Sequence, residues 1–157
     1  MVRRAVLDVF IMHSVEQGLV ARYVILCEGI SYASGIRAGI SHILCQTGNR
    51  ALPELADAVA EGQRDKVVKA SMLCGDCFEA AIAFERTQIA GYIGLAHAYA
   101  MIGRRDKSDE YAERGLLLLA EVRDTSTAKA IESGASDIIP PDIHDQMERL
   151  LRTCLEH

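Results

Sequence analysis

The chain has 157 residues, enough for one domain with a substantial core, and a formal net charge of −5 with a pI near 5.5. Hydrophobic residues make up 50% and charged residues 25%, which excludes a disordered chain. The acidic balance offers no general basic surface for nucleic acid. Aromatics at 5% and the shortage of turn dipeptides argue against an all-β fold. No window approaches the roughly eighteen apolar residues of a membrane span. The cysteines (Cys27, Cys45, Cys74, Cys77, Cys154) form an odd set on apolar faces, as expected of small buried hydrophobes in a reducing, cytoplasmic setting.

In chain order, Arg3 to Glu16 predicts an amphipathic first helix rather than a signal peptide, because Asp8 interrupts the apolar run and no small-residue cleavage site follows. Gly18 ends it, and Leu19, Tyr23, Leu26, Cys27 and Ile30 repeat the helical spacing. Ser31 to Thr47 follows, closed by Gly48-Asn49, with Pro53 placed to open the next helix. Gly62-Gln63-Arg64-Asp65 is a connector. A short helix over Lys66 to Cys74 leads to a turn at Gly75-Asp76 and a further helix over Cys77 to Gln88.

The clearest unit lies between Ala90 and Leu119. Tyr92, Leu95, Ala96, Tyr99 and Ile102 follow one helical stripe, Gly103 stops it, and Ser108, Ala112, Gly115, Leu116 and Leu119 restart the period. Two helices joined by so short a turn are antiparallel, so the unit is a helical hairpin. Beyond it, Arg123 to Thr127 offers N-cap residues for a weak helix that ends at Gly134, and Pro140-Pro141 precedes a last helix from Ile143 to about Arg152. Gly18, Gly48, Gly75, Gly103 and Gly134 recur at a spacing of about thirty residues, the kind of period a stacked helical array shows.

Two segments resemble the tetratricopeptide repeat, a helix-turn-helix unit. Gly75 to Arg86 resembles its turn and second helix, with Ala80 and Phe84 at the small and aromatic positions. Leu95 to Tyr99 with Gly103, Ala112, Gly115 and Leu116 resembles a full hairpin. The spacing is shorter than the family's, and Pro53 and Ser108 stand where the family has a small alanine. The resemblance implies an all-α fold of stacked antiparallel hairpins in a right-handed superhelix, spanning residues 1–154 as a single domain. A closed helical bundle is the alternative. Residues 155–157 read as the start of a purification tag.

The resemblance also implies a non-enzymatic protein-interaction module, an adaptor or chaperone, gripping a partner's segment in a concave groove without a cofactor. Exposed ends of a short array would favour a homo-oligomer. Carrying the family's groove positions over gives His42, Lys69 and His97, then Cys45 and Met72, with Gln46 and Met101 beside them. Such a lining suits a partner segment with apolar anchors and a carboxylate.

Two other chemistries are legible. His42, Cys45, Cys74 and Cys77 have the ligand types of a tetrahedral zinc site, or of a thiol-dependent protein. A helical bundle could instead hold a small apolar ligand between its helices. Asp142, His144 and Glu148 resemble an acid-base set but sit in the first turns of a helix, where Asp caps and Glu is solvated. No phosphate loop, nucleophile elbow or zinc-protease motif occurs.

Overall fold

A computed structural model of the chain describes residues 34–133 and 141–156. Among these residues the fold is all-α, with five helices and no strand. They are α1 (Ser34–Ala60), α2 (Arg64–Phe84), α3 (Ile89–Met101), α4 (Arg105–Ser133) and α5 (Pro141–Leu155). The two helices expected before Ser31, with Gly18 and Cys27, lie outside the described residues, as does Gly134.

The hairpin expected around Gly103 is present as α3 and α4. Elsewhere the helices are longer than local signals suggest. α1 runs through Gly48-Asn49 and contains Pro53; α2 runs through Gly75-Asp76; and α4 continues through the polar stretch from Arg123 to Thr127. The spacing of about thirty residues between glycines is therefore not a spacing of turns. Pro53 removes one N–H from the ladder, and the carbonyl deprived of it belongs to Asn49, an exposed residue whose backbone water can satisfy.

The turns that do exist at the ends of α1 and α3 share one design. Gly62-Gln63-Arg64-Asp65-Lys66 and Gly103-Arg104-Arg105-Asp106-Lys107 differ at one position, and both glycines take positive φ, 66° and 74°. In the first, Gln63 N donates to Ala58 O and Gly62 N to Val59 O; in the second, Arg104 N donates to Tyr99 O and Gly103 N to Ala100 O. This paired pattern is a Schellman cap, which satisfies the last carbonyls and needs the left-handed conformation that glycine adopts without strain. Asp65 and Asp106 then occupy the first turn of the following helix, where the backbone dipole favours negative charge. The α2 C-terminus is closed by Arg37 of α1, whose Nε and Nη2 donate to Phe84 O (2.9 Å) and Ala83 O (3.4 Å).

α3 touches all four other helices. It is the most apolar of them and rich in Gly and Ala, so neighbours approach its backbone closely from several sides. On one side, Leu95 and Ala98 join Ile40, Leu44, Leu55, Cys74, Phe78 and Ala81 in a core shared with α1 and α2. On another, Ile89 and Ala96 join Ala112, Leu119, Leu151 and Cys154 in a core shared with α4 and α5. Polar ties cross both. Ser41 Oγ donates to Ala81 O at 2.7 Å, and the fully buried Ser108 Oγ donates to Ala96 O at 3.0 Å.

Phe78 is the largest fully buried side chain. Its ring edge would lie 2.7 Å from a Cβ on Gly48 of α1 and 2.3 Å from one on Gly94 of α3. No real Cβ tolerates such distances, so the aromatic ring occupies the space that two absent side chains leave. Gly75 is the opposite case, with nothing within 4 Å of an added Cβ.

These environments give substitutions of opposite sign. Gly94→Ala is expected to destabilise the fold by about 1–3 kcal/mol through overpacking, despite alanine's better helix propensity. Gly75→Ala is expected to stabilise it by about 0.5–1 kcal/mol, since only propensity changes. Urea denaturation followed by circular dichroism measures both, and a stabilising Gly94→Ala would contradict the packing described.

Candidate functional site: a cleft along the second and third helices

Reading α2 as one continuous helix aligns Val68, Met72, Gly75, Asp76 and Glu79 along one face. Met72 is 63% exposed and Val68 57%, unusual values for large apolar side chains beside a core. Met72, Gly75, Asp76 and Glu79 form one wall of a cleft whose other wall is Leu95 and Tyr99 of α3 and Ile102 just past its end. The missing Gly75 side chain leaves the floor open. A second cleft, lined by Glu79, Ile82, Arg86, Tyr92, Leu95, Tyr111 and Arg114, adjoins the first, with Glu79 and Leu95 lining both.

The junction is aromatic and charged. Tyr99 and Tyr111 stack with centroids 5.6 Å apart and planes at 6°, tying α3 to α4. Arg114 lies over the Tyr111 ring at 6.0 Å and pairs with Glu110 at 2.9 Å, and Lys107 also pairs with Glu110, at 2.6 Å. Partial burial raises the Asp76 carboxyl above its ordinary value. Burial first, and then the neighbouring Asp76 charge, raises Glu79, which Lys107 offsets in part. Burial and then Glu79 raise the Tyr99 and Tyr111 phenols. Partial burial disfavours the charge on both carboxylates and Lys107 offsets it only in part at Glu79, so a cation entering the cleft would be favoured.

The residues expected from the family resemblance are dispersed. Met72 lines the cleft just described. Lys69 lines a different one, with Lys66, Leu73 and Glu54 between α1 and α2. His42 is exposed, with its Nε2 3.0 Å from Gln46 Nε2, while Cys45 is buried at 3% exposure. Met101 is half-buried against the core of α1, α2 and α3. His97 is half-buried, with Nε2 sealed from solvent and without a hydrogen-bond partner; burial lowers its pKa. Asp76 and Glu79 escaped the sequence reading as site residues because Gly75-Asp76 reads as a turn. Carried through Gly75, the helical period places Met72, Asp76 and Glu79 together.

Cys45, Cys74 and Cys77 are neighbours in the core, with Cys74 Sγ 3.9 Å from Gly48 O. They are not gathered with His42 into a metal-binding group: among the described residues no cluster of three or more His, Cys, Asp or Glu is placed to hold an ion. Burial pushes the thiols of Cys45 and Cys77 up to about 12 and that of Cys74 to about 11. Protonated, sealed thiols suit packing and oppose nucleophilic chemistry.

At pH 8 the native fold therefore holds about a hundredfold to a thousandfold less thiolate at these positions than an unfolded chain. Iodoacetamide labelling resolved by peptide mass spectrometry should be slow at Cys45, Cys74 and Cys77 in buffer and fast in urea. Rapid native labelling of Cys74 or Cys77 would show a reactive thiol instead. Comparison of the chain with family models, with curated proteins and with solved structures gives no match.

Proposed function

We propose that the protein is a non-enzymatic protein-interaction module that holds a segment of a partner in the continuous cleft along α2 and α3. The observation that carries this reading is the joining of two clefts at Glu79 and Leu95, flanked by the exposed Met72 and the stacked Tyr99–Tyr111 pair. An open-ended groove with an adaptable apolar anchor site suits a peptide segment. Its electrostatics reverse the partner chemistry expected from the sequence. Asp76 and Glu79 favour a basic side chain next to an apolar anchor, rather than a carboxylate.

The tetratricopeptide-like reading is supported by the two hairpin turns, which share both sequence and capping hydrogen bonds. On that reading the hairpins α1–α2 and α3–α4 are successive units of a short superhelix, with adaptor or chaperone as the functional class and the cytoplasm as its setting. No helix among the described residues is long and apolar enough to cross a membrane.

Labelled peptides pairing arginine with leucine should bind more tightly than the same peptides with glutamate for arginine. Glu79→Lys should reverse that preference. Met72→Ala should weaken binding about fivefold or more, the loss of an anchor contributing about 1 kcal/mol. Fluorescence anisotropy reads all of these. If the His42/Lys69/His97 triple alanine variant abolishes binding while Glu79→Lys leaves it unchanged, the groove lies elsewhere.

A further inference from the structure

The groove assigned above to a partner segment has ends of opposite charge. Asp76, Glu79, Ile82, Ala83 and Arg86 recur at spacings of three or four residues, so they follow one another along a single face of α2 and into the turn after it. All five line the joined clefts. Along the groove the chemistry therefore runs from two carboxylates, through an apolar middle completed by Leu95 and Tyr92 of α3, to a guanidinium.

Arg86 differs from the other arginines that line clefts. Arg114, in the same cleft, is held by Glu110 at 2.9 Å and lies over the Tyr111 ring. Arg152, beside His144 in the cleft between α4 and α5, is held by Glu148 at 2.7 Å. Arg86 is exposed and has no hydrogen bond, ion pair or ring contact among the described residues. Lys107, not Arg86, is the cation that acts on Glu79. The guanidinium is thus free to meet an anion, and its place beside Ile82 and Tyr92 puts that anion next to apolar surface.

The helix also sets a distance. From Glu79 to Arg86 the rise of about 1.5 Å per residue gives roughly 10 Å. An extended chain advances about 3.3 Å per residue, so it covers that interval in about three residues.

We propose that the groove takes an extended partner segment whose basic residue lies against Asp76 and Glu79 and whose acidic residue, about three positions along, reaches Arg86, with an apolar side chain between them against Ile82 and Leu95. This rests on the peptide-groove reading and adds the charge order and spacing of the ligand. Opposite charges at the two ends fix the register of a segment that apolar contacts alone would let slide.

Fluorescence anisotropy with the full chain tests it, using identically labelled, terminally blocked peptides. The probe carries Leu-Arg-Val-Ala-Glu. Its controls carry Leu-Arg-Val-Ala-Gln and the isomer Leu-Glu-Arg-Val-Ala, which has the same net charge with the acid on the wrong side. The probe is expected to bind about threefold more tightly than either control in low salt, as suits an exposed ion pair, and the advantage should shrink at about 0.5 M salt. Arg86→Gln should level the probe with its glutamine control. Equal binding of all three peptides by the wild-type chain overturns the charge order and leaves the peptide groove standing, whereas binding of none removes both. A preference for the probe that persists in Arg86→Gln also overturns the proposal. So does probe binding that weakens as the protein is concentrated, which would put a second copy of the chain in the groove.

Discussion

The fold depends on a steric match between one aromatic ring and two glycines. Phe78 on α2 fills the gap between Gly48 of α1 and Gly94 of α3, and a methyl group at either position would collide with it. Three helices therefore meet at a single, fully buried ring, where dispersion contacts are dense. The surrounding positions are small or slim (Ala81, Ala98, Cys74, Cys77), which lets the helix axes approach far enough for the ring to touch all three. Loss of the Phe78 ring would open a cavity at the convergence, with a cost of about 3–5 kcal/mol.

This convergence also places the surface features. With Phe78 turned inward, the opposite face of α2 points outward and presents Met72, Asp76 and Glu79 beside Tyr99 of α3. α3, packed on every other helix, aligns that cleft with the Tyr111–Arg114 face of α4. Gly115 acts similarly on the far side: an added Cβ would lie 2.8 Å from Leu151 and 3.2 Å from Tyr92. That close approach seats α5 against α4, forming the cleft that contains His144. The core residues that unite the helices thus fix the geometry of both clefts, and Leu95 and Leu119 belong to core and cleft alike.

Thiols and histidines show how residue type misleads when location is unknown. Cys45, Cys74 and Cys77 with His42 have the composition of a metal site, yet three are core atoms with raised pKa values and the fourth is an exposed surface ring. The carboxylates of Asp76 and Glu79, ordinary in sequence, acquire meaning from a shared cleft and from the charge that Asp76 adds to the surroundings of Glu79.

The sequence by itself determined that the chain is helical, where Gly103 turns it, and that α3 and α4 form a hairpin, because apolar period and capping glycines are local properties read within a few residues. Tertiary structure decided that Gly48 and Gly75 do not end helices. A glycine needed for a left-handed cap and one needed for space beneath a ring look identical in one dimension. Only the position of Phe78, distant in sequence from Gly48, separates the two cases. The clefts were settled at the same level, since each is formed by faces of different helices, and which faces meet depends on packing between them rather than on the period within either.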